Sequence, residues 1–203
     1  MIKTIPLGHS GTNCYVYTNN ATGKSVIIDP AGDAPRLLDE VRGMDIAAII
    51  LTHGHFDHIG ASDQVRHALN VPVFASKNDA ALANNQDHNG TAFFSMRPIS
   101  AAVDHFLTEG ENDFGGVALD VIFTPGHTYG SVCLYSPADK VLIAGDTLFK
   151  ESYGRYDLPT GDYGALRASV TALFELPEDV AVYPGHGPAT TIGHEKANNP
   201  ILR

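Results

Sequence analysis

Apolar positions in this chain gather into short β-rich runs, at 15–18, 26–29, 47–51, 71–75, 119–123, 132–135, 141–144 and 180–183. Runs of this length, rich in Val, Ile, Tyr and Phe and bounded by Gly, Pro or Asp, predict strands. Amphipathic stretches at 34–42, 60–69, 77–84 and 163–174 predict helices. Strands first alternate with helices, then come as hairpin-like pairs, and a last strand follows a helix, which is a mixed α/β order. The strongest breaks, Asp29-Pro-Ala-Gly and Ser136-Pro-Ala-Asp, are only turn-length. No repeat, low-complexity segment or linker divides the chain, so 1–203 is expected to form one unit.

Composition narrows the class. With 203 residues, 43% of them hydrophobic, the chain is long enough to bury a sizeable core. Thirteen basic against twenty-three acidic residues give a net charge of −10 with no Lys/Arg cluster, which argues against a nucleic-acid partner. No run approaches the roughly 18 apolar residues of a membrane span, and the opening Met1-Ile-Lys-Thr-Ile-Pro has no apolar signal region. A cytoplasmic protein without a membrane partner is the expectation; oligomeric state is not readable. Cys14 and Cys133 each sit inside a strand-like apolar run and read as buried core thiols, leaving metal chemistry to His and Asp.

That chemistry is dense at one place. His53-Gly-His55-Phe-Asp57-His58 follows the run 47–51 directly, and His with Asp are the donors that hold zinc and its neighbours. Three more strand-like runs end in a candidate ligand: 119–123 runs into Thr-Pro-Gly-His127, 141–144 into Gly-Asp146, and 180–183 into Pro-Gly-His186. Taken singly, His127 or His186 is as readily a capping imidazole in a turn. Loops leaving one edge of a sheet can converge, and seven donors at one rim suffice for two ions. Asp29, at the end of Val26-Ile-Ile, has two open readings: a carboxylate that holds a ligand imidazole from behind, or a turn-forming residue before Pro30. His9, His67, His88, His105 and His194 read as surface or satisfied polar residues.

The order HxHxDH, His127, Asp146, His186, set in Leu51-Thr-His-Gly-His-Phe-Asp-His-Ile-Gly, Thr124-Pro-Gly-His-Thr, Ala144-Gly-Asp-Thr-Leu-Phe and Tyr183-Pro-Gly-His-Gly-Pro, resembles the metallo-β-lactamase superfamily over nearly the whole chain. Gly154-Arg-Tyr-Asp-Leu-Pro and Thr190-Thr-Ile-Gly-His-Glu, with Asn199-Pro-Ile-Leu behind them, resemble its glyoxalase II branch of short single-domain bacterial hydrolases. The resemblance implies an αββα sandwich, two mixed β-sheets flanked by helices. It places one metal on His53, His55 and His127 and another on Asp57, His58 and His186, with Asp146 bridging. Two divalent ions per chain follow, zinc first, with iron or manganese as alternatives.

The implied chemistry is attack of a hydroxide shared by the two ions on a small-molecule thioester such as S-D-lactoylglutathione, with Asp57 and Asp146 as the catalytic carboxylates. A thiolate leaves without a strong general acid, because its conjugate acid has a pKa of about 8.5. Full-length glyoxalase II enzymes carry a helical domain with cations for glutathione, and no such domain is expected in this chain. Substrate contacts are therefore expected from Lys150, Tyr153 and Arg155 and from segment 84–98, where Phe93, Phe94, Met96 and Arg97 either roof the cleft or, for the apolar three, pack in the core. Arg155 reads equally as an ion pair with Asp157, and Tyr156 stands where relatives carry a small residue, a bulk that narrows the pocket. An Fe(II)-dependent persulfide dioxygenase and a lactonase of the same superfamily are the alternatives.

Overall fold

The computed structural model describes residues 1–94 and 97–202, and Met96 lies outside them. One sheet is built in spatial order from β1 (Ile2–Leu7), β2 (Thr12–Thr18), β3 (Lys24–Ile28), β4 (Asp45–Ile50), β5 (Val73–Ala75) and β6 (His105–Phe106). The other contains β7 (Gly110–Asp113), β8 (Ala118–Phe123), β9 (Val132–Ser136), β10 (Val141–Gly145), β13 (Ala181–Pro184) and β14 (Thr190–Thr191), in the spatial order β14-β13-β10-β9-β8-β7. A short hairpin, β11 (Leu148–Phe149) with β12 (Ser152–Tyr153), leaves the end of β10. The helices are α1 (Ala34–Glu40), α2 (Phe56–Ile59), α3 (Ser62–Leu69), α4 (Lys77–Ala83), α5 (Tyr163–Leu173) and α6 (Ile192–Asn198).

The period-two alternation of strands assigns each residue to a layer. Val26 and Ile28 of β3 and Ile143 of β10 face the space between the sheets, while Ile27 faces the helical layer of α1 and α3 and Leu142 faces α5. Central strands covered on both faces read as continuous apolar runs, which is why they stood out in the sequence. Leu166, Val170 and Leu173 form the buried stripe of α5 at helical spacing, and Asp162 caps that helix by accepting from the Ala165 N–H at 2.6 Å. The result is the αββα sandwich. Both cysteines are free and fully buried, and burial pushes their thiol pKa values up. No helix among the described residues is long and apolar enough to cross a membrane.

Strand direction gathers the chemistry. β3 and β4 are parallel, β10 and β13 are parallel, and β9 runs antiparallel to both β8 and β10, so β8, β10 and β13 point the same way. Backbone bonds bring the two sets of strand ends together: Asn13 N–H donates to the Gly185 carbonyl at 2.7 Å, and Val132 N–H to the Thr52 carbonyl at 2.9 Å.

Two expectations are corrected. The helix expected at 60–69 is α3, beginning at Ser62, and a separate short helix, α2, precedes it over Phe56–Ile59; the break falls at Gly60, where the chain presses on the turn after β3. A Cβ there would stand 2.4 Å from the Ala31 carbonyl oxygen, and Ala61 N–H donates to the Pro30 carbonyl at 2.8 Å. Asp57 and His58 thereby ride on α2 rather than on a loop. The edge strands β1 and β7 were not expected: GEND carries no apolar residue, IKTIPL places only Ile5 and Leu7 in the core, and both strands owe their form to pairing with β2 and β8.

Candidate metal centre

Each strand exit delivers its side chain to the rim. His53 and His55 follow β4, Asp57 and His58 lie on α2, His127 follows β8, Asp146 follows β10 and His186 follows β13. They assemble into two donor groups, His53/His55/His127 and Asp57/His58/His186, within each of which the donor atoms lie within 4.8 Å of one another.

In the first group three imidazole nitrogens converge: His55 Nδ1 is 2.9 Å and His53 Nε2 3.2 Å from His127 Nε2. Partners behind the rings fix which nitrogen faces inward. His127 Nδ1–H donates to the Arg155 carbonyl at 2.7 Å. Thr52 Oγ1 gives its proton to Asp29 and so accepts from His53 Nδ1–H at 3.1 Å. Burial and the neighbouring imidazoles hold His53 well below the ordinary histidine pKa, and burial followed by His127 pushes His55 down to about 3. Three neutral rings aiming lone pairs at one point repel one another unless a cation sits among them.

In the second group His186 Nε2 lies 3.4 Å from Asp57 Oδ2. His58 Nδ1–H donates to Asp29 Oδ2 at 2.8 Å, turning Nε2 inward. Burial depresses the His58 pKa, but the carboxylates of Asp146 and Asp29 outweigh it and hold the ring above its ordinary value. Asp146 stands between the groups. Its Oδ2 is 3.6 Å from both His127 Nε2 and His186 Nε2, and its Oδ1 is 3.3 Å from His58 Nε2. Although buried, His58 Nε2 and Asp146 Oδ1 have no aligned hydrogen-bond partner among the described residues. Orphaned donor atoms of this kind are costly unless a ligand takes them, and here they face one another across a gap suited to an ion. The donor set fits a dinuclear metal site.

Both open readings of Asp29 hold. It takes a left-handed backbone (φ 52°) in the turn before Pro30, and its carboxylate accepts from Thr52 N–H at 2.7 Å, from the Thr52 hydroxyl at 2.6 Å and from His58. Thr52 went unrecognised in the sequence, although it adjoins the donor candidate His53. Gly185 makes room for Asp146: a Cβ there would lie 2.1 Å from Asp146 Oδ1 and 2.7 Å from His58 Cε1. Gly185→Ala is expected to cost about 10²-fold in kcat/KM by displacing Asp146 and to lower bound metal, read by steady-state kinetics and elemental analysis. Unchanged values of both would show that Gly185 does not set the position of Asp146.

A cavity of about 410 Å³ opens on the centre, lined by His55, Asp57, His127, Asp146 and His186 and walled by Phe56, Phe94, Phe149 and Leu158. Of the expected substrate residues, Tyr153 and Arg155 line it, while Lys150 lines an adjoining depression with Phe149 and His186. Arg155 is also paired with Asp157 through two bonds, at 2.8 and 3.0 Å. Phe94 stacks on Phe56 with ring centres 5.1 Å apart, so it is neither core nor free, while Phe93 is exposed and does not line the cavity. Tyr156 turns toward Tyr163, 4.9 Å between ring centres, and does not narrow this cavity. His67, His88, His105 and His194 are absent from the donor groups; His9 lines a second cavity of about 460 Å³ that shares Ser10, Phe56 and Asp57 with the first.

The profile described as Metallo-beta-lactamase superfamily matches residues 7–186. Among solved structures, the BLEG-1 B3 metallo-beta-lactamase is 43% identical, with a TM-score of 0.94 over 100% of this chain and 99% of its own. A di-iron-bound form of TTHA1623 is 36% identical, with a TM-score of 0.90 over 98% of this chain and 100% of its own. The hydroxyacylglutathione hydrolase GloC of Haemophilus influenzae is 34% identical over 99% of this chain and 97% of its own length.

Proposed function

Because the chain belongs to the metallo-beta-lactamase superfamily, we propose that it is a metal-dependent hydrolase with a dinuclear centre that cleaves a thioester of the S-D-lactoylglutathione kind. The observation that carries the dinuclear reading is the place of Asp146, within 3.6 Å of a nitrogen of each donor group. His53, His55 and His127 would hold one ion, and Asp57, His58 and His186 the other. When bound, such a pair supplies hydroxide at neutral pH and a Lewis acid for a carbonyl oxygen.

The rest falls to the chain. Phe56, Phe94, Phe149 and Leu158 wall the cavity with apolar surface, excluding water around the reacting carbonyl and strengthening electrostatic interactions there. The Arg155 carbonyl and Asp29 hold the imidazoles of His127 and His58 in single tautomers. Among the described residues, no Asp or Glu beyond the donor set lines the cavity, which suits a thiolate leaving group better than an alkoxide or amine. Likeness to a protein named hydroxyacylglutathione hydrolase supports the same substrate class. A second reading, β-lactam cleavage, is favoured by the 43% identity to BLEG-1.

The test is hydrolysis of S-D-lactoylglutathione by the purified protein, before and after a chelator and after return of zinc, iron or manganese. Turnover that the chelator removes and a metal restores is the expected result. No turnover by protein carrying two ions overturns the thioester reading. The same preparation given a β-lactam, an acyl-homoserine lactone, or glutathione persulfide with oxygen uptake followed then identifies the activity.

A further inference from the structure

Asp79 is an acid that the proposed reaction does not use, yet it is tied to both segments that carry the first donor group. It sits in the first turn of α4 with 2% of its surface exposed. Its Oδ2 accepts from Gly54 N–H at 2.8 Å and from the Thr128 hydroxyl at 2.7 Å, and its Oδ1 accepts from Gly130 N–H at 2.8 Å. Gly54 separates His53 from His55, and Thr128 follows His127. No bond from this carboxylate runs to Asp57, His58 or His186 among the described residues.

The approach is close enough for the helix to act as a template. A Cβ on Gly54 would stand 2.6 Å from the Asp79 carbonyl oxygen, and one on Gly130 2.4 Å from Asp79 Oδ1. Both loops therefore lie against α4 with only hydrogen between backbone and helix. Three donors on two oxygens is a load only a carboxylate carries: an amide offers one acceptor oxygen and turns its NH2 against another donor. Burial raises the Asp79 pKa to about 6, and the three donors, with no Lys or Arg among its partners, are what offset that cost.

We infer that Asp79 is a positioning residue that sets the spacing of His53, His55 and His127, and so tunes the affinity of one of the two metal positions and not the other. This inference rests on the dinuclear reading of the centre. Asp29 braces the other group directly, through His58.

The test is cobalt(II) titration of the metal-free full-length protein, followed by absorption, with the occupancy of each position read from anomalous diffraction of loaded crystals. Asp79→Asn is expected to weaken the His53/His55/His127 position by about 10- to 100-fold and leave the other unchanged. Thr128→Val, which removes one donor and keeps the carboxylate and both backbone bonds, is expected to produce a smaller loss at the same position; it decides the matter if Asp79→Asn does not fold. Equal weakening of both positions, which is what a general packing defect would give, overturns the inference, and so does unchanged affinity at both. Wild-type protein that takes up no cobalt overturns the metal reading itself, a result distinct from either.

Discussion

Asp146→Ala is expected to lower kcat/KM on the order of 10³-fold and to release at least one metal ion. The physical reason is the position of the side chain. It closes β10 at the junction of the two donor groups, with one oxygen 3.6 Å from a nitrogen of each group and the other 3.3 Å from His58 Nε2. Alanine removes a donor from both positions at once, and it removes the charge that keeps the two sites complementary to a cation pair. Burial alone would raise the Asp146 pKa, but the His58, His127 and His186 imidazoles outweigh burial and hold the carboxyl well below its usual range. Kinetics together with metal content decide the case: a variant that keeps two ions and full turnover shows that Asp146 does not bridge.

Asp29→Ala carries the second large effect, and on two quantities. Three donors lose their acceptor when it goes: the Thr52 N–H, the Thr52 hydroxyl and His58 Nδ1–H, all buried. Leaving buried donors unpaired costs about 1–3 kcal/mol each before the site relaxes, so a loss of roughly 3 kcal/mol in the metal-free protein is expected. The left-handed backbone at φ 52° adds about 1 kcal/mol for a residue with a Cβ and no polar side chain. Metal affinity at the Asp57/His58/His186 position should fall about 10- to 100-fold, because His58 loses the partner that fixes its tautomer and ring angle. Asp29→Asn tolerates the same backbone and separates strain from lost acceptors. Denaturant unfolding of the metal-free chain and metal titration measure the two effects, and an Asn variant with wild-type affinity at both positions would remove Asp29 from the metal centre.

The pair of aspartates behind the rings shows how unevenly the site was readable. Asp29 could be suspected because it ends a strand-like run beside the others, whereas Asp79 gave no signal, being one acidic residue in the first turn of a short helix. Its partner Gly130 is 51 residues away. The apolar walls Phe149 and Leu158 were equally silent, and Lys150, chosen for its charge near the Asp146 loop, lines the neighbouring depression instead.

What the sequence determined by itself was whatever depends on neighbours along the chain. The central strands were legible because both faces of each are buried and the apolar run is continuous. The seven donor candidates were legible because the cluster at 53–58 follows one such run directly and His127, Asp146 and His186 each follow another through a Gly- or Pro-containing turn. The family resemblance implied which donors group together and that Asp146 stands between them; the tertiary structure alone decided which nitrogen of each imidazole faces inward and which residues brace them. Those outcomes depend on hydrogen bonds between segments that meet only once two sheets and their helices are packed, and no local period or propensity encodes a partner that is distant in sequence.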